Sequence, residues 1–207
     1  MNIIEIKKLT KVYKIFEKEA GFKGSLKSLF KRKYTEKKAV SEFDLTVENG
    51  EFIGLIGQNG AGKTTLIKML TGIIAPSSGS LSVLGYLPNK LENEFKKRYA
   101  LVMGQKSQLF FELTPADTFM LFKELYDIPD EEYKKNIEYF TELFDVKRYM
   151  NVQVRTLSLG ERMKMELITA LLHNPEILFL DEPTIGLDAV AQKQIRYFLK
   201  EINKTKG

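Results

Sequence analysis

Three short stretches of this chain carry residue types at spacings that suit phosphate chemistry. GQNGAGKT at residues 57–64 is a G-x-x-x-x-G-K-[ST] pattern. Gly57, Gly60 and Gly62 permit a tight turn that aims successive backbone N–H groups inward. A helix starting at Lys63 adds its positive N-terminal end, and together they make a cradle for phosphate oxygens. Gln58, Asn59, Ala61 and Thr65 complete the loop and the first helical turn. Lys63 would reach the β- and γ-phosphates of a nucleotide, and the Thr64 hydroxyl would ligate Mg²⁺. ILFLDEPT at residues 177–184 is an apolar run closed by two acids, the pattern of a buried strand carrying carboxylates to a site at its tip. Neighbouring side chains on a strand point to opposite faces, so Asp181 and Glu182 can serve one site only where the strand frays. In LSLGE at residues 157–161, Ser158 offers a hydroxyl and Gly160 an open N–H at the start of a helix, a second anion-binding surface. The Ser158 and Glu161 spacing also fits a capping box, and the two roles are compatible.

The elements that must position these residues are legible as periodicities. Residues 51–56 (EFIGLI) are expected as a buried strand leading into the phosphate loop, with a helix over 63–70 leaving it. Antiparallel strands are expected over 2–9 and 39–47, a turn at 75–79, and short strands over 81–84 and 99–103, the latter ending at Gly104-Gln105. Two amphipathic helices follow at 116–128 and 131–146, parted by Pro129 and starting from Thr114-Pro115 and Asp130. A helix over 162–172 is stopped by Asn174-Pro175, and a last helix covers 190–202. The fold class expected is α/β: a P-loop NTPase core with a mixed sheet, an N-terminal antiparallel β region and an inserted helical lobe. One domain is expected over 1–207, with the β region and nucleotide core at 1–104, the helical lobe at 105–160 and the return to the core at 161–207.

With 43% hydrophobic and 29% charged residues among 207, the chain can bury a sizeable core. It has no cysteine, which excludes a disulfide framework and thiolate metal sites. No run of eighteen apolar residues and no signal peptide is present, so this sequence is not expected to span a membrane by itself. The net charge of +5 is concentrated in residues 22–38, where seven Lys and Arg face one Glu. There Phe22, Leu26, Leu29, Phe30 and Tyr34 fall near helical spacing behind Ser25, within a basic insertion over 17–38. A solvated surface insertion and a segment docking on a membrane or membrane protein both fit, with nucleic acid a weaker third option.

The order GQNGAGKT, Gln105 after an apolar strand, LSLGE, ILFLDEPT and GLDA resembles the ATP-binding subunit of an ABC transporter over essentially the whole chain. The insertion after Tyr13, the GQKSQLFFEL stretch and the LSLGER variant most resemble ATPases of ABC-2-type exporters. The resemblance implies ATP and Mg²⁺ as ligands, with Asp181 on the metal and Glu182 as the general base for the attacking water. It implies that Gln105 contacts Mg²⁺ and that water while linking two lobes, and that the Tyr13 ring stacks on adenine, although a packed strand-edge role also suits Tyr13. It implies that Ser158, Gly160 and Glu161 close on the γ-phosphate held by a partner's phosphate loop, in a head-to-tail dimer. Leu159 stands where the common pattern has Gly and Glu161 where it has Gln, and both should weaken that contact. Asp188 resembles the loop that senses the opposite site.

The partners so implied are a second ATPase subunit, identical or paired, and an integral membrane permease subunit, at the cytoplasmic face of the membrane. No nucleic-acid partner is expected. The permease would contact residues 109–113 (LFFEL), unless Phe110 and Phe111 are core residues. His173 is not the family's switch histidine, which should lie some thirty residues past Glu182; a helix C-terminal role is expected for it, and a domain truncated at its C-terminus, weakly active. The alternatives are a soluble ABC ATPase acting on ribosomes or DNA, and another phosphate-loop protein such as a small-molecule kinase or a GTPase. Asn89-Lys90-Leu91-Glu92 only faintly echoes the guanine-reading pattern of the last.

Overall fold

The computed structural model describes residues 1–17 and 33–206. The chain divides into two compact units, Met1–Lys90 and Leu91–Gly207. In the first unit β1 (Asn2–Glu17) lies between β2 (Lys33–Glu48) and β3 (Ser78–Val83), antiparallel to both. Register shifts between Ile6 and Val12 bend β1, and Lys8 there has a φ of 48°, the local kink that a β-bulge imposes. Helix α1 (Lys63–Leu70) packs on β2 and β3. Its Leu66, Met69 and Leu70 are buried, as are Ile4, Ile6 and Leu9 of β1 and Leu81 and Val83 of β3.

In the second unit β4 (Tyr99–Met103) pairs in parallel with β5 (Ile177–Asp181). Around this pair stand α2 (Asn93–Lys97), α3 (Pro115–Leu125), α4 (Asp130–Leu143), α5 (Leu159–Leu171) and α6 (Ala189–Lys206). Their core includes Phe119, Phe140, Phe144, Leu167, Ile168 and Ile195, all fully buried. Helix starts follow local chemistry. Thr114 caps α3, accepting from the Asp117 amide while the Asp117 carboxylate accepts from the Thr114 amide, with Pro115 at the first helical position. Asp130 opens α4 with two further acids in the first turn, matching the positive end of the helix. Among the described residues no helix is long and apolar enough to cross a membrane.

The fold class expected from sequence holds: antiparallel pairing at the N-terminus and parallel pairing at the acidic strand, with helices interleaved. Two expectations are corrected. Residues 51–56 form no strand; Phe52, Ile53 and Ile56 are 59%, 46% and 99% exposed. A strand exists only through ladder partners, and among the described residues none pairs with this run. The β1–β2 hairpin runs eight residues further along β1 than expected and begins six residues earlier in β2, so Tyr34 and residues 35–38 of the expected insertion are strand, not helix. Residues 18–32 of that insertion, with the basic amphipathic segment from Phe22 to Phe30, lie outside the described residues. The division between compact units falls at Lys90 and Leu91, and β4, beyond it, pairs with β5 and packs on α5.

Candidate functional site

The phosphate loop lies in the first unit. Gly60 and Gly62 have φ of 84° and 92°, backbone that side chains rarely adopt, and Gly62 is the residue on which α1 begins. A Cβ at Gly62 would overlap the Ala39 carbonyl of β2. The loop therefore rests directly on the strand edge. Its turn is closed by Ala61 N donating to Gln58 O at 3.1 Å. Lys63 Nζ donates to the carbonyls of Gly57 (2.7 Å) and Gln58 (3.0 Å), which holds the ammonium over the loop. Thr64 and Thr65 follow in the first turn, both half-buried, and Gln58 and Asn59 stand exposed. Tyr13 belongs to the same sheet, two residues beyond Lys11, whose partner Val40 adjoins Ala39. Tyr13 is 37% exposed, with Lys11 Nζ over its ring 5.4 Å from the centre, so one π-face of the ring already meets a cation.

The acidic site lies in the second unit. The parallel register ends on Met103 opposite Asp181, and one step further Gly104 N donates to Asp181 O at 2.9 Å. A Cβ at Gly104 would overlap the carbonyl of Glu182, so the backbone just before Gln105 lies against the main chain of both acids. Asp181 is the last strand residue and is buried. Glu182 is exposed and has left the strand with a φ of 52°, a conformation that costs a non-glycine residue about 1 kcal/mol. The chain thus breaks the strand's alternation between the two acids, as a shared site requires. Among the described residues no cluster of three or more His, Cys, Asp or Glu stands ready for a metal. Any Mg²⁺ here would take much of its shell from water and phosphate, as that ion ordinarily does.

The LSLGE turn opens α5. Ser158 Oγ accepts from Glu161 N at 3.3 Å and Glu161 Oε2 accepts from Ser158 N at 2.8 Å, the complete capping box. Burial works to raise the Glu161 carboxyl, but bonds from Tyr149 and from Ser158 outweigh it and hold the group below its ordinary value. It stays ionised beside the helix N-terminus. Gly160 lies close to Ala191 at the start of α6, and Leu159 reaches Gly186, so the turn is braced against the segment after the acids. Asp188 caps α6 by accepting from Val190 N at 2.9 Å and Ala191 N at 2.8 Å.

Leu109 is buried, whereas Phe110 and Phe111 are 49% and 48% exposed, which decides against core burial of those two rings. His173 does not cap its helix. Its ring stacks on Tyr126 at 3.9 Å and its Nε2 lies 3.3 Å from the Tyr99 carbonyl. Two residues escaped the sequence reading: Gly104, whose missing side chain admits Glu182, and Glu166. The carboxylate of Glu166 is buried in α5 and accepts from Gln108 N at 2.8 Å, Leu109 N at 3.3 Å and the Ser107 hydroxyl. A signal existed for Glu166: Met163, Glu166, Leu167 and Ala170 form one helical stripe, so a carboxylate sits where an apolar residue belongs.

Comparison with known proteins gives the family and the fold. The family model described as ABC transporter matches residues 40–185. The chain is 36% identical over 167 residues to the ABC transporter ATP-binding protein NatA of Bacillus subtilis, covering 81% of this chain and 68% of NatA. It is 31% identical to the linearmycin resistance ATP-binding protein LnrL of the same organism, over 84% of this chain and 56% of LnrL. It is 32% identical to the bacitracin transport ATP-binding protein BcrA of Bacillus licheniformis, again over 84% and 56%. The chain thus spans from about half to two thirds of these relatives. Among solved structures, a bacterial ABC transporter cassette determined as a dimer superposes with a TM-score of 0.78 at 23% identity, over 99% of this chain and 84% of the other. The ATP-binding subunit of an ABC transporter gives 0.76 at 24%, over 98% and 75%. These two likenesses establish the fold.

Proposed function

The chain belongs to the ABC transporter family, and from that premise we propose that it binds and hydrolyses ATP to power export through a separate membrane subunit. The observation that carries the reading is the junction at the end of the parallel pair, where Gly104, the residue before Gln105, bonds Asp181 O and lies against the Glu182 carbonyl. Export as the direction draws on relatives named for linearmycin resistance and bacitracin transport.

The residues fit ATP with Mg²⁺. The cradle at Gly57, Gly60 and Gly62 leaves no room for a Cβ at its last glycine. It presents Lys63 as the cation for the β- and γ-phosphates, with the N–H groups of residues 58–65 around it. Tyr13 offers its ring to adenine. Thr64 in the first unit, and Gln105 and Asp181 in the second, each match a position that the family's motifs give to Mg²⁺, which, when bound, would spread the charge developing on the terminal phosphate. Glu182, exposed at the frayed strand end, takes a proton from water as that oxygen attacks the γ-phosphorus and ADP leaves. Gln105 orients the same water.

Ser158, Gly160 and Glu161 are assigned to a second copy's nucleotide. They form a polar helix start braced within their own unit, and Ser158 is exposed. Two chains placed head to tail, identical or paired, would close each site with the other's turn. The exposed apolar surface of Phe110 and Phe111 supports docking on an integral membrane permease, and the subunit is assigned to the cytoplasmic face of the membrane as part of the same proposal. No nucleic-acid partner is assigned. The test is hydrolysis by the purified protein with ATP and Mg²⁺ in competition with GTP: ATP turnover lost in Glu182→Gln supports the reading, and preferential turnover of GTP overturns it.

A further inference from the structure

Gln105 is held from two sides. Upstream, Gly104 ties it to the acidic strand through Asp181 O at 2.9 Å. Downstream, two residues on, the chain wraps around the carboxylate of Glu166, which takes bonds from Ser107 Oγ, Gln108 N and Leu109 N. Gln108 in turn donates from Nε2 to the Leu101 carbonyl of β4. The same stretch continues under the segment leading to α5, with Arg155 N donating to Phe111 O at 3.1 Å and Val154 N to Leu113 O at 3.0 Å. The Arg162 guanidinium of α5 lies 5.6 Å from the centre of the Phe111 ring.

Glu166 is only 5% exposed, and burying a carboxylate is costly unless several donors meet it. Burial does push this carboxyl up, while the donors from Ser107, Gln108 and Leu109 pull the other way. A helix position facing the core has no packing need for a charge. What the charge meets is one loop, and that loop begins at the glutamine assigned to the attacking water. Ser158 and Glu166 stand on one helix about 12 Å apart along its axis. The turn that would meet a partner's phosphate and the clasp behind Gln105 are therefore parts of a single rigid element.

We infer that Glu166 is a positioning residue for ATP hydrolysis: its carboxylate clasps residues 107–109 to α5 and so sets Gln105 according to where the LSLGE turn stands. The inference rests on the proposed ATPase reading. The bonds of Glu166 go to residues 107–109, and it acts through Gln105.

The experiment is a double-mutant cycle on ATP turnover, with Glu166→Gln, Gln105→Ala and both together, alongside ATP binding and thermal melting. Glu166→Gln should lower kcat about tenfold or more while ATP affinity stays within about twofold of the parent. In the Gln105→Ala background the same change should add little, because the residue being positioned is already gone. Ser107→Ala removes one donor from the clasp and should lower kcat in the same direction; it carries the test should Glu166→Gln fail to fold. Unchanged kcat in Glu166→Gln, or losses that simply add to those of Gln105→Ala, would overturn the inference. Unchanged kcat in Ser107→Ala would overturn it where that variant carries the test. Absence of turnover in the parent protein would instead sink the ATPase reading itself.

Discussion

Gly104 and Glu182 touch through the backbone: the space that a side chain at 104 would need is filled by the Glu182 carbonyl. The two residues are seventy-eight apart in sequence, and the parallel register of Met103 with Asp181 brings them together. Gly104 has no left-handed φ, so its identity answers to this approach alone. Gly104→Ala should force the two strand ends apart, shifting Gln105 away from Glu182. Turnover should fall by about tenfold or more with ATP binding nearly intact. Equal turnover in the alanine variant would show that the close approach is not needed.

Gly62 carries the opposite kind of demand, since both its φ of 92° and the nearby Ala39 carbonyl exclude a side chain. Gly62→Ala should cost about 1–2 kcal/mol from backbone strain alone and abolish measurable nucleotide binding in a fluorescent-ATP titration. A retained affinity would mean that the loop is not the phosphate cradle.

The helices were easy to read from sequence and one strand was not, and the difference is physical. Thr114, Pro115 and Asp117 specify a helix start among themselves, and Ser158 with Glu161 does the same. Residues 51–56 carry the composition of a buried strand, yet a strand is made by its neighbours, and no ladder among the described residues includes them. The outer part of the β1–β2 hairpin extends beyond the expected strands because its residues, KVYKIFE at 11–17 and KYTEKK at 33–38, lack the alternation of apolar and polar side chains that marks a strand. At the candidate site the motif residues were legible because spacing along the chain encodes them. Gly104 and Glu166 were not, because their meaning lies in contacts with residues 57 to 78 positions away.

Phe110 and Phe111 form adjacent exposed rings on the segment that Glu166 anchors. Replacing both by Ser should leave ATP affinity unchanged, because neither ring is assigned to the nucleotide. Co-purification with the membrane fraction should fall severalfold. If membrane association survives the double substitution, the permease contact lies elsewhere.

His173 predicts a pH dependence of stability. Burial holds its imidazole below the ordinary value of 6.5, with the bond to Tyr99 O opposing. Since a carbonyl only accepts, Nε2 carries the proton, and Nδ1 is buried with no partner among the described residues. A second proton would therefore be buried unbonded. With the folded pKa depressed, the unfolded chain binds more protons just below 6.5. The contribution is full above that pH and is lost as pH falls through the folded value. The melting temperature should drop between about pH 7 and 5, and His173→Phe, which keeps the stack on Tyr126, should flatten the drop. An identical slope in the variant would assign the pH dependence to other groups.

The central claim is that the chain carries two complementary halves of a site, the phosphate loop for its own ATP and the LSLGE turn for a partner's. The most direct measurement is the solution mass of the Glu182→Gln protein with and without ATP and Mg²⁺, repeated with Ser158→Arg added. The mass should double with ATP in the first protein. It should stay monomeric in the second, although that protein still binds ATP with the affinity of the first. No ATP-dependent change in mass, or a dimer that survives Ser158→Arg, would contradict the account.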